Sequence, residues 1–144
     1  MGAFKPIEGH CQCGAVRYRV SEPADKVYHC HCSMCRRCHG TMFATYAVMP
    51  RKGFTILAGA DNLSTFSSSA TTHRKFCKTC GCQICIDVDT KPDLIWYTPG
   101  TADGHPGHAK DKESHIYVES MTEWYDIHAK LPEHIEETTS PRRA

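Results

Sequence analysis

Cys11-Gln12-Cys13-Gly14-Ala15-Val16-Arg17-Tyr18-Arg19-Val20 carries two instructions in ten residues. Val16, Tyr18 and Val20 alternate with Ala15, Arg17 and Arg19, the two-residue period of a strand with one buried face. Ahead of that strand, extended backbone turns Cys11 and Cys13 to the same side and Gly14 lets the chain bend behind them, so two thiolates can meet one ion. The complement is Cys77-Lys78-Thr79-Cys80-Gly81, a knuckle with two residues between its sulfurs. Together the half-sites offer four thiolates to a closed tetrahedral zinc site with bonds of about 2.3 Å. A site with no open position staples the fold and binds no substrate.

Outward from that stretch, short strand signals recur at Met42 to Val48, Phe54 to Leu57, Leu63 to Phe66, Ile84 to Val88, Leu94 to Thr98 and His115 to Val118. Gly40, Pro50, Gly53, Gly59, Pro92, Pro99 and Gly100 punctuate them. Seven short strands predict a mainly β domain. Helical signals are confined to one turn over Ser33 to Arg37 and a short segment over Ser120 to Trp124, capped by Ser120 with Glu123 three residues on. With 144 residues the chain suits one core, so a single domain is expected over 1–132. Residues 133–144 are expected to form a surface-laid or frayed tail ending in Arg142-Arg143.

Seventeen Lys and Arg against sixteen Asp and Glu leave a formal charge of +1, which argues against an electrostatic nucleic-acid partner. No apolar run approaches the roughly 20 residues a bilayer demands. The N-terminus Met1-Gly2-Ala3-Phe4-Lys5-Pro6 lacks an export pattern, so the expected location is the cytoplasm. Ten cysteines in that reducing compartment point to metal before disulfides.

The middle cluster, Cys30-His31-Cys32-Ser33-Met34-Cys35, has a different spacing. Sulfurs at i, i+2 and i+5 can form a local tripod on one ion. Two readings stand: three protein ligands with an open fourth position, the pattern of catalytic zinc, or a second structural site completed by Cys38, a histidine or Cys85. Cys38 alternatively rims the open site or is simply buried. Cys82, in step with Ile84, Ile86 and Val88, reads as a small core residue, with Cys85 on the opposite face beside Gln83 and Asp87. His29 and His31 alternate with Cys30 and Cys32, so they face away from the ion, toward the ligands' supporting shell or solvent. His105 and His108 belong to an exposed loop. Arg36 and Arg37 are either a cationic rim for a carboxylate-bearing substrate or a solvated pair.

Taken in order, the segments Gly9-His10-Cys11-Gln12-Cys13-Gly14-Ala15-Val16, Cys30-His31-Cys32-Ser33-Met34-Cys35-Arg36-Arg37 and Phe76-Cys77-Lys78-Thr79-Cys80-Gly81 resemble the glutathione-dependent formaldehyde-activating enzymes, grouped with centromere protein V. Gly100-Thr101, His115-Ile116-Tyr117-Val118 and Trp124 resemble the family's closing segments, and the likeness runs over residues 5 to 132. It implies an Mss4-like (β-tent) zinc-binding fold of coiled antiparallel sheets around two zinc ions. Cys11, Cys13, Cys77 and Cys80 match the family's structural site, and Cys30, Cys32 and Cys35 its catalytic site. The implied activity is that of a carbon–sulfur lyase joining a small thiol such as glutathione to an aldehyde, forming S-hydroxymethylglutathione from formaldehyde. No residue matches a glutathione contact by motif. Departures are Thr101-Ala102-Asp103 and the extra thiols Cys38, Cys82 and Cys85. The alternative is a two-zinc structural or binding module without catalytic activity, like the centromere relatives. A methionine sulfoxide reductase, which shares the fold, would need a cysteine beyond Cys85.

Overall fold

Among the described residues of the computed structural model, 3–128 and 131–138, the chain forms ten strands and one α-helix. In chain order these are β1 (Ile7–His10), β2 (Arg17–Val20), β3 (Lys26–Cys30), α1 (Ser33–His39), β4 (Ala44–Pro50), β5 (Phe54–Ala58), β6 (Leu63–Ser67), β7 (Thr72–Cys77), β8 (Gln83–Val88), β9 (Leu94–Tyr97) and β10 (Glu113–Ile116). A three-stranded sheet runs β1-β2-β5, and a seven-stranded sheet runs β10-β3-β4-β9-β8-β7-β6. Pairing is antiparallel except for β10 against β3, which is parallel.

The larger sheet is covered on both faces. On one side Tyr18 and Val20 of the small sheet, with Val16 just ahead of β2, pack with Val27, Ala47, Met49, Ile95 and Tyr97. Tyr18 stacks on Phe54 at 4.9 Å between ring centroids and meets Tyr97 at 5.8 Å. On the other side Tyr28, Cys30, Ala44, Tyr46, Val48, Ile86, Trp96 and Ile116 form a second core with Cys35 of α1. The strand period sorts neighbours between the two: Tyr46 and Val48 go one way, Ala47 and Met49 the other. A bulge at Ile84 interrupts this sorting, because Phe76 pairs with Gln83 while Lys75 pairs with Cys85. Ile84 and Cys85 therefore enter the first core together and Ile86 enters the second, so the single face expected for Cys82, Ile84, Ile86 and Val88 does not hold along the strand. Cys82 is half-buried against the first core.

The helical turn expected over Ser33 to Arg37 extends to His39. The one expected over Ser120 to Trp124 is not formed. Tyr117 takes left-handed backbone at φ 57°, a 3-10 turn covers Val118–Ser120, and Ser120 closes that turn instead of capping a helix. Residues 132–136 are not frayed: they run beside β10, with the His115 amide donating to Pro132 and the Tyr117 amide to Glu136, and His134 is buried. Arg142 and Arg143 lie outside the described residues.

Gly59, between β5 and β6, fixes how closely the small sheet approaches. Its φ is +79°, and a Cβ there would stand 2.0 Å from the Ala15 carbonyl oxygen. Gly40, at φ +64° after α1, has no atom within 4 Å of that position. Gly59→Ala should therefore lower stability by about 2–4 kcal/mol, combining backbone strain with a steric clash. Gly40→Ala should cost only about 1 kcal/mol. Paired thermal melts check the difference, and equal losses would show that the Ala15 contact does not constrain the fold.

Candidate metal centres

The turn from β1 to β2 and the turn from β7 to β8 bring Cys11, Cys13, Cys77 and Cys80 to one point at the end of the first core. The four Sγ atoms all lie within 4.8 Å of one another, with Cys11 to Cys13 at 3.6 Å and Cys13 to Cys77 at 3.7 Å. Sulfurs about 2.3 Å from a tetrahedral ion stand about 3.8 Å apart, so this donor set fits such an ion. Protein donors already face the sulfurs: the Val16 amide reaches Cys11 Sγ at 3.3 Å and Asn62 Nδ2 reaches Cys77 Sγ at 3.2 Å. The Cys13 and Cys82 amides draw the Cys80 thiol down to about 6, and the Cys80 amide lowers that of Cys77. Ionised sulfur is the form that binds metal.

Cys30 ends β3, Cys32 caps α1 and Cys35 lies in the first helical turn, so a strand end running into a helix start builds the second group. Its three Sγ atoms also lie within 4.8 Å of one another, and no fourth His, Cys, Asp or Glu joins them among the described residues. Neither Cys38 nor Cys85 completes the set. The Cys35 amide donates to Cys32 Sγ at 3.3 Å. Hydrogen bonds from the Cys30 and Cys35 thiols hold Cys32 far below the ordinary thiol range, and the same sharing pushes Cys30 up. Protons alone thus let one sulfur ionise at the expense of its neighbours; a divalent cation is the partner that suits three thiolates.

All three cysteines of this group line a cavity of about 300 Å³. Tyr28, Ile86, Trp96 and Ile116 give it apolar walls, and its charged lining is Lys26, Arg74 and Lys91 with one carboxylate, Glu137, a net positive set. Arg36 and Arg37 do not line it, and Arg36 Nε donates instead to the His31 carbonyl. Arg74 and Tyr46 are the residues that sequence reasoning missed. Arg74 is buried on β7 and reaches Ser68 Oγ at 2.9 Å, the Tyr46 hydroxyl at 3.1 Å and Cys35 Sγ at 3.6 Å, while the Tyr46 hydroxyl also pairs with His39 Nε2. No local spacing announces this convergence.

His29 and His31 point to the opposite face of β3. His29 bonds to Thr45 and Glu113, and His31 Nε2 lies 2.7 Å from His115 Nδ1 beside Phe43. Burial first, then the neighbouring His29, pushes His31 and His115 down to about 4. Unfolded, each imidazole takes up a proton near 6.5, so the unfolded chain binds protons first as pH falls. The stability of this buried pair is intact above 6.5 and is lost between there and about 4. His115→Gln, which cannot titrate, should flatten that slope, removing about 2 kcal/mol of the loss between pH 7 and 5. Melts of both proteins across that range give the comparison, and parallel slopes would contradict it.

Comparison with known proteins agrees with this arrangement. The profile of the family described as "Glutathione-dependent formaldehyde-activating enzyme" matches residues 6–120, which include both cysteine groups. Proteins named "Putative glutathione-dependent formaldehyde-activating enzyme" match from Halomonas elongata, 24% identical over 130 residues covering 86% of this chain and 82% of the relative, and from Penicillium rubens, 32% identical over 82 residues covering 56% and 43%. The match spans less than half the length of that fungal relative. The crystal structure of a Rhodobacter sphaeroides protein, 29% identical, superposes with a TM-score of 0.58 over 68% of this chain and 89% of that one. No described helix is long and apolar enough to cross a membrane. By the extent of the family match, with both cysteine groups inside it, the chain belongs to the glutathione-dependent formaldehyde-activating enzyme family.

Proposed function

We propose that this protein is a zinc-dependent carbon–sulfur lyase that joins a small thiol such as glutathione to formaldehyde, with a structural zinc on Cys11, Cys13, Cys77 and Cys80 and a catalytic zinc on Cys30, Cys32 and Cys35. The observation that carries this reading is the second group: three sulfurs, no fourth protein donor among the described residues, and a cavity directly against them. Zinc held there supplies a position at which an incoming thiol stays ionised at neutral pH. The chain's own residues do the rest. Lys26 and Lys91, which outnumber the single carboxylate Glu137 among the lining residues other than Arg74, give the cavity positive charge that suits a thiol bearing carboxylates, and Tyr28 and Trp96 wall it with aromatic surface. In the reaction the thiol sulfur bonds to the aldehyde carbon, the C=O π bond breaks, and the proton lost by the thiol ends on the aldehyde oxygen.

A reducing compartment such as the cytoplasm is where we place this activity, since metal-binding cysteine groups need thiolates that are kept from pairing as disulfides. The test is the rate of S-hydroxymethylglutathione formation with zinc-loaded protein against the uncatalysed rate at equal reactant concentrations. Acceleration that disappears on chelation and returns with zinc is expected. A rate equal to background would overturn the reading.

A further inference from the structure

Arg74 is a buried guanidinium, 4% exposed, with no carboxylate within 4.0 Å among the described residues. Such a cation is costly to bury unless something negative compensates it. What it touches is sulfur: one arm lies 3.6 Å from Cys35 Sγ, while its other donors are held by Tyr46 and Ser68. Those two contacts come from β4 and from the residue after β6, so the fork is fixed in place by its own neighbours. Three thiolates around a divalent ion carry a net charge of −1, and one guanidinium cancels it.

We propose that Arg74 is the built-in counter-charge of the Cys30, Cys32 and Cys35 group, a positioning residue that acts through Cys35 to hold the three sulfurs as metal-binding thiolates. The inference rests on the reading that this group binds a metal, and it adds the residue that makes an anionic site tenable inside an apolar core. It also accounts for Tyr46, whose hydroxyl orients the guanidinium by accepting from it while pairing with His39. Because the arginine is always protonated, the compensation does not vary with pH.

The experiment measures zinc affinity at both sites by competition with a chromophoric chelator, and separately follows the sulfur-to-metal charge-transfer bands of the cobalt(II)-substituted protein. Arg74→Gln should weaken the three-cysteine site by about 10- to 100-fold, the range found when groups supporting metal ligands are removed. The four-cysteine site, away from Arg74, should stay within about twofold and serves as the internal measure of folding. Arg74→Lys, which restores the charge but not the fork, should recover most of the loss, and the charge-transfer bands of the glutamine variant should shift while those of the lysine variant stay near the parent. Equal affinity in Arg74→Gln and the parent would overturn the proposal, as would a lysine variant as weak as the glutamine one. If Arg74→Gln loses both metals through misfolding, Tyr46→Phe decides: removing the hydroxyl that orients the guanidinium should weaken the three-cysteine site by about 2- to 10-fold with the four-cysteine site unchanged, and an unchanged three-cysteine affinity overturns the proposal. If the parent itself holds no metal on Cys30, Cys32 and Cys35, it is the function proposed above that fails.

Discussion

Replacing Cys77 with serine is expected to abolish the cooperative fold or to strip it of most of its stability. Cys77 is fully buried at the end of β7, 3.7 Å from the sulfur of Cys13 and in reach of Asn62 Nδ2. The four sulfurs are the point at which the turn of the small sheet is tied to the turn of the large one, across 64 positions of sequence. Closing so long a loop is entropically expensive, and the metal bonds offset it. Structural zinc sites supply about 10–16 kcal/mol in small domains, against total stabilities of about 5–15 kcal/mol, so losing even part of that term removes most of the margin. Thermal melting followed by circular dichroism should show either no cooperative transition or a midpoint lowered by more than about 15 °C, with one metal fewer by mass spectrometry. A midpoint within about 3 °C of the parent would show that the four cysteines are not the staple.

The matching change at the other group should have the opposite profile. Cys35→Ser is expected to remove the second metal and essentially all rate gain over background, on the order of 100-fold or more, while leaving the melt within a few degrees. The reason is chain length. Cys30, Cys32 and Cys35 span six residues, so an ion there closes no long loop and contributes little to tying distant segments together. Cys35 is 5% exposed but packs in the first turn of α1, where serine is close in size and tolerated. Retained catalysis in a folded Cys35→Ser protein would place the chemistry elsewhere.

The two cysteine groups were legible because metal spacing is local: each half-site is written within a few residues, and only the pairing of half-sites needs the fold. Seven strands were legible for a similar reason, since β2, β5 and β6 show the period or the turn residues that bound them. The three missed strands lack that signature. β3, Lys26-Val27-Tyr28-His29-Cys30, sits inside the large sheet and buries Val27 on one face and Tyr28 and Cys30 on the other, which erases the alternation. β7 reads Thr72-His73-Arg74-Lys75, polar because it carries Arg74 to Cys35 and Lys75 to Asp87. β1 contains Gly9, where a Cβ would meet the Tyr18 ring at 2.4 Å, a requirement set by a strand further on. Arg36 and Arg37 drew attention by adjacency to the cysteines, whereas the positive charge that lines the cavity comes from β3, β7 and Lys91, segments that only the sheet order brings together.

Inequivalence of the two metal centres is the claim on which catalysis, the stability contrast and the role of Arg74 all depend, and native mass spectrometry during mild chelation tests it directly. The account predicts a chain with two zinc ions that loses one while its folded charge-state envelope persists, and glutathione bound to the two-zinc species but absent from the one-zinc species. Simultaneous loss of both ions, or equal glutathione binding to both species, would contradict it.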